Sequence, residues 1–587
     1  MKKYILFLLS TILFSSCNED KFLKEEALDF MSSDNSFTTV TDFNMSINNL
    51  YDLIRVEFYA YDENKPFDYL YGTDLIYDGE YGSVNRHSNM VAAYHPTSSI
   101  IQFHWDALFK IIAEANVVID KVALSSISDE DKTMFTAKAK FFRGMAYRTL
   151  AYLYGNVPIV LNETTSVKND YTLSSKEDVL QQAASDVLEA AQILPDITNV
   201  KDGEISSSAA YHLLAEIYLA LGQNEEAEQA ATKVIDNPAL ALMQNRFGSR
   251  MNEPDRDGDG QPDGDVYWDL FRMNNQNRGA GNTEGIWVIQ FETDLPGGGS
   301  STADLKKKGN YLLERHISPL VSLVQLRVND KIYSPFVYPV SDYTSGGRGI
   351  GWGVSTVYFS NTIWESDFNN DMRNSKFNFV RKFPVTNQTV RDELGIDTID
   401  VENPPANLIV GTGGITTIPG NFLYAYQTKC TTPYNHPEPL YQDASTYLLK
   451  SIAGATYVDQ YMFRLAETYL LRAEAYLNMN RKDLAAADIN VVRNRAHASP
   501  VDASEVDLDY ILDERMRELG IEEKRRLTLM RTGTLYDRVM KCNPYYANPE
   551  TNGDGVGMLE KYNVWPIPQS VIEANTGAVI EQNPDYR

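Results

Sequence analysis

The chain has 587 residues, of which 80 are acidic and 53 basic, for a net charge of −27. A surface this acidic repels phosphate backbones and sets nucleic acid aside as a partner; it suits a neutral ligand and tolerates bound cations. The length exceeds what one core normally needs, so one large or two closely joined domains are expected.

Residues 1–16 have the order of a secretory signal: Met1-Lys2-Lys3, an apolar run over 4–14, then Ser15-Ser16-Cys17 at the cleavage point. A cysteine in that place reads as a lipidation signal, with Cys17 acylated and becoming the first mature residue. No later apolar run is long enough to span a bilayer, so the expected anchor to the membrane is lipid. Residues 17–36 read as a lipidated, acidic tether. The other cysteines, Cys430 and Cys542, are either a pair or two buried thiols; such a count makes no disulfide scaffold.

Residues 37–235 carry helical patterning. Phe43, Ile47, Leu50 and Ile54 fall on one helical face, and Trp105, Leu108, Ile112, Ala115 and Ile119 on another. Helix pairs with small residues at a close crossing follow, the spacing of tetratricopeptide (TPR) units. One is Leu214, Ala215, Tyr218, Gly222, Ala227, Ala231 and Pro238. A second, over 458–587, holds Ala473, Tyr476, Ala485, Ile489 and Val492. A third is split: Gly144 and Tyr147 suit its first helix, Ala183, Val187, Ala190 and Pro195 its second. The expected fold is mostly α, a TPR-like platform carrying a loop-rich ligand-binding region. That region is 236–457, rich in Gly, Asn, Thr and Pro, with short apolar runs at 286–289 and 408–410. Trp364 reads as core.

Two motifs stand out in the central region. In 255–265, Asp255, Asp257, Asp259 and Asp263 take the first, third, fifth and ninth positions of an EF-like loop, with Gln261 at the seventh. Val266 replaces the twelfth-position Glu, so the expected calcium would be structural and completed by Asp265 or Asp269. Residues 346–353 read as a flexible Gly-rich loop displaying Trp352; without strand–loop–helix context or a following Lys-Ser/Thr it is discounted as a phosphate loop.

Further landmarks resemble the SusD/RagB family of Bacteroidetes outer-membrane lipoproteins. They include Ala115-Asn116, Phe141-Phe142-Arg143, Tyr154-Gly155-Asn156-Val157-Pro158, Asn282-Thr283-Glu284 and Asp371-Met372-Arg373. Arg464-Leu465-Ala466-Glu467, Arg493-Asn494-Arg495-Ala496, Glu514-Arg515, Arg525-Arg526 and Pro566-Ile567-Pro568 continue the series in order. Glu19 and Asp20 after Cys17 are similar to surface-export signals of such lipoproteins. The arginines Arg493, Arg495, Arg515 and Arg525 sit beside carboxylates on helices and are expected to knit the platform.

The resemblance implies a cell-surface lipoprotein of the outer membrane that binds oligosaccharides or polysaccharides. It also implies delivery to a SusC-like TonB-dependent transporter, with no catalysis. Peptide cargo for the same kind of transporter is the alternative, and an extracellular glycoside hydrolase a more distant one. By location, the resemblance puts the ligand between the loops before the Trp105 helix and those of the central region. The resemblance fixes only that region; by their chemistry, Tyr77, Tyr81, Tyr94 and Trp352, with Tyr343 beside them, are expected to stack on sugar rings, and Arg86 to meet their hydroxyls.

Overall fold

The computed structural model describes residues 37–59, 65–79, 88–256, 258–295, 313–337, 348–409, 419–548 and 557–587. Cys17, Tyr81, Arg86, Asp257 and Tyr343 lie outside the described residues.

Helix α1 (Val40–Tyr59) buries Phe43, Ile47, Leu50, Ile54 and Phe58, the face its spacing predicts. The next helices start at serine N-caps, which satisfy backbone amides the first turn leaves open. Ser98 caps α2 (Ser99–Leu124) and Ser128 caps α3 (Asp129–Tyr154). Ser175 caps α4 (Lys176–Ile193) and Ser206 caps α5 (Ser207–Ala220). Gly155, at φ +74°, ends α3 in a conformation that few side chains adopt.

From α2 onward each helix packs on the next, through α6 (Asn224–Ile235) and on to α7 (Leu465–Asn478) and α8 (Lys482–Arg495). The split unit is real: a Cβ at Gly144 would lie 2.6 Å from the Val187 side chain and 2.9 Å from the Ala183 carbonyl. Helices α3 and α4 therefore approach more closely than any larger residue permits. Leu219 and Ala227 pack against Leu471 and Ala475, so the stack continues across the whole central excursion.

That excursion leaves after α6 and returns before α7. It is closed by β2 (Gly285–Ile289), which pairs antiparallel with β4 (Gln460–Arg464). The rest of its described residues are short ribbons, 3-10 turns and short helices of which Gln388–Leu394 is the longest; the second apolar run gives Leu408–Ile409, paired with Gln325–Val328. The fold is thus mostly α, with few strands. Trp364 is 1% exposed, as core.

A buried ionic cluster fixes the excursion to the stack. Arg464 reaches Glu518 at 2.6 Å, Arg495 reaches Glu284 at 2.9 Å, and Arg373 reaches Glu514 at 2.7 Å. Arg493 pairs with Glu514 at 2.9 Å and with Asp367 at 2.8 Å, and Arg515 holds Glu467 at 2.5 Å. Burial alone would raise the Glu514 carboxyl, but Arg373, Arg517 and Arg493 override it and hold it at about 2. The arginine motifs are structural, as their setting among helical carboxylates predicts. Losing one partner would strand a buried charge.

Candidate functional site

Strands β1 (Ile76–Asp78) and β3 (Gly353–Ser355) form an antiparallel ribbon in which Tyr77 faces Val354 and Asp78 faces Gly353. The Gly79 amide donates to the Trp352 carbonyl at 2.8 Å and extends it. Two segments far apart in sequence, the aromatic loop from Tyr77 and the Gly-rich loop with Trp352, therefore meet at one place.

The glycines explain how. A Cβ at Gly349 would lie 2.3 Å from the Pro319 carbonyl oxygen, and one at Gly351 would lie 2.1 Å from that of Asn421. Gly351 also has φ +64°. In the described part, 348–353, this loop is a packed seam and not the flexible display its composition suggests; the glycines allow backbones to touch. Trp352 is half-buried. Its ring stands edge-on to His316 at 4.9 Å and 73°, and His316 packs on Phe67 at 4.2 Å. The indole is thereby propped in one orientation with part of its surface in solvent.

Two expected contact residues are corrected. Tyr77 is 1% exposed, its ring parallel to Tyr545 at 4.8 Å and its hydroxyl donating to the Pro419 carbonyl. Tyr94 is also 1% exposed, set against Trp565 at 5.9 Å, with Arg526 donating to its hydroxyl at 2.5 Å. Each phenol finds its polar partner inside the protein, so the ring can bury fully. Neither offers a face to a ligand in this arrangement; both support the ribbon from behind.

The support comes from the far end of the chain, which sequence reasoning did not connect to the ribbon. Helices α9 (Arg525–Arg531) and α10 (Leu535–Cys542) grip residues 68–78. Arg525 makes two bonds to Asp74, at 2.9 and 2.7 Å, and Arg538 a third at 2.9 Å. Burial pushes the Asp74 carboxyl up, but the two guanidiniums override it and hold it at about 2. Arg526 donates to the Asp68 carbonyl at 2.8 Å, and Asn543 to that of Thr73 at 2.7 Å. The Tyr546 hydroxyl accepts from the Asp78 amide at 3.2 Å.

His104 completes the base. Its Nδ1 lies 2.7 Å from Glu57 and its Nε2 2.9 Å from Asp68, all fully buried. Burial pushes the imidazole down, yet the two carboxylates win and raise it to about 9, so it is doubly protonated at neutral pH.

The acidic loop is divided among other partners. Asp255 accepts from the amides of Gly258 (2.6 Å) and Gly260 (2.8 Å). Asp259 meets Lys376 at 3.3 Å and Asp263 meets Arg256 at 3.3 Å, while the Gln261 amide donates to Asp259 at 2.9 Å. Asp265 caps Val266–Asp269 by accepting from the Trp268 amide at 2.8 Å, and Asp269 holds Arg246 at 2.6 Å. Among the described residues no three His, Cys, Asp or Glu converge as a metal site. Cys430 and Cys542 are buried free thiols and do not pair.

Comparison with known proteins now fits the picture. A profile of the SusD family matches residues 424–586, and one described as starch-binding associating with outer membrane matches 21–219; together they span more than half of the chain. The chain belongs to the SusD/RagB family. It is similar to the SusD-like protein P25 of Formosa agariphila, 23% identical over 96% of this chain and 95% of that protein. With the starch-binding protein SusD of Bacteroides thetaiotaomicron it is 34% identical over 24% of each chain. Among solved structures, a laminarin-binding SusD-like protein superposes with a TM-score of 0.63 at 19% identity, covering 94% of this chain and 100% of its own. Surface glycan-binding protein A of Bacteroides thetaiotaomicron, in complex with laminarihexaose, gives 0.63 at 18% identity, covering 92% and 99%. No helix among the described residues is long and apolar enough to cross a membrane.

Proposed function

We propose that this protein captures an uncharged oligosaccharide at the β1–β3 ribbon and passes it to a SusC-like TonB-dependent transporter without altering it. The observation that carries the reading is Trp352, a half-buried indole fixed on a glycine seam between the two segments that hold the candidate contact residues. A rigid aromatic face costs little ordering entropy on binding, and sugar C–H faces pack well against it. The names of the relatives, which bind starch or laminarin, support the ligand class. The family's association with the outer membrane supports the setting. Acylation of Cys17 is the proposed means of attachment, with the ribbon facing outward from the cell.

Calcium at 255–265 is a separate proposal. It would draw Asp255 and Asp259 away from the backbone amides and Lys376 that now hold them.

Calorimetric titration of the soluble chain against neutral glycans, with a peptide pool alongside, tests the main reading. Saturable glycan binding that weakens roughly tenfold or more in Trp352→Ala is expected. Binding to peptides alone would move the cargo to peptide, and turnover of the glycan would contradict a binder.

A further inference from the structure

A second opening lies on the helical stack, between α5, α6, the turn at 196–199 and the turn at 236–239. It is a groove of about 850 Å³, lined on nearly all sides by polar side chains. That volume falls within the range of sites that hold small ligands, about 300–1,000 Å³.

What distinguishes the groove is which of its groups are already committed. Its floor is. Asp196 accepts from Asn237 at 2.7 Å, and Thr232 is tied to Arg472 at 3.0 Å and to Glu228 at 3.1 Å. Its rim is not. The Tyr211 ring is half-buried in the wall, yet among the described residues its hydroxyl has no hydrogen-bond partner and its ring no aromatic neighbour. Gln229, Lys233 and Asp236 are exposed along the same rim and make no side-chain hydrogen bond or ion pair among the described residues. Elsewhere in this protein arginines and carboxylates are joined in a dense set of ion pairs, many of them buried. A fixed floor beneath an uncommitted aromatic, amide, carboxylate and ammonium is the equipment needed for a polyhydroxylated ring: one flat face, with donors and acceptors around it. Asp196, Glu228 and Asp236 outweigh Lys233, so the local charge disfavours uronic or sulfated sugars.

We propose that this groove is a second carbohydrate site, which takes a segment of neutral glycan stacked on Tyr211. The proposal rests on the carbohydrate reading above for its ligand class, but not on Trp352. Two sites on one chain would hold a polymer by avidity, which raises apparent affinity about 10²- to 10⁴-fold when both can be engaged at once.

The test is titration of the Trp352→Ala chain with laminarihexaose, with starch-derived malto-oligosaccharides and with polymeric laminarin. A weaker saturable phase should remain for at least one probe, and adding Tyr211→Ala should reduce it roughly tenfold or more. Tyr211 also packs against the core, so a second variant, Gln229→Ala with Asp236→Asn, is made at exposed positions. It should weaken the same phase severalfold with an unchanged melting temperature. Absence of any residual phase, or a residual phase indifferent to both groove variants, would overturn the proposal. Binding that ignores Trp352→Ala but is lost in the groove variants would keep the groove and remove the ribbon reading.

Discussion

Asp74→Asn is the perturbation that best examines how the ribbon is held. Asp74 and Arg525 are fully buried and Arg538 nearly so. Asparagine keeps the shape and removes the charge, leaving two buried guanidiniums short of a partner. Breaking a buried pair in this way costs about 3 to 5 kcal/mol. The unfolding entropy of a chain this long, about 2.1 cal/mol/K per residue, places about 1.2 kcal/mol on each degree, so the melting temperature should fall by about 3 °C.

The pH dependence is the sharper check. The Asp74 carboxyl is depressed from 3.8 to about 2, which corresponds to a contribution on the order of 2 kcal/mol. A depressed acid stabilises above its unfolded pKa and loses that contribution as pH falls toward the folded one. Protonated aspartate resembles asparagine, so the gap between wild type and variant should be constant above about pH 5 and shrink by about 1 kcal/mol by pH 3. Thermal melts of both chains across that range measure it. A gap that does not change with pH, or a fall in melting temperature well under 1 °C at pH 7, would refute the claim that Arg525 and Arg538 act on an ionised Asp74.

Three further outcomes are expected. The His104 imidazole, raised from 6.5 to about 9, contributes on the order of 3 kcal/mol below pH 6.5, a contribution lost as pH rises through 9; a histidine-labelled NMR titration should find the His104 ring still charged at pH 8, and a midpoint near 6.5 for that ring would contradict the triad. Gly144→Ala should lower stability by about 1 to 3 kcal/mol because its Cβ meets Val187; helix propensity alone predicts a gain of about 1 kcal/mol, so the sign of the melting shift decides. Millimolar calcium should raise the melting temperature over that in a chelator, and Asp255→Asn with Asp259→Asn should abolish the difference; no shift would leave the loop an acidic turn.

The helical stack was legible because its signals are local. The 3.6-residue apolar faces and the small residues at Gly144, Ala215 and Ala485 each report on neighbours within a helix or its partner. The arginines beside helical carboxylates were legible for the same reason. The candidate site was legible only by region. Tyr77 and Tyr94 have the composition of contact residues, but what buries them is Tyr545, Trp565 and Arg526, hundreds of residues along the chain. No local pattern announces such partners. The Gly-rich loop did hold a usable signal: glycines at alternate positions, 347, 349, 351 and 353, suit close backbone approach in an extended segment better than free motion. The groove at Tyr211 had no sequence signature, since its residues come from two helices and two turns.

The central claim is that a glycan docks on the ribbon through Trp352. Calorimetry of wild type and Trp352→Ala against a neutral glycan panel tests it most directly. The account predicts saturable binding of one glycan class by the wild type, weakened roughly tenfold or more in a variant that still melts as a folded chain. Equal binding by the two chains would contradict it.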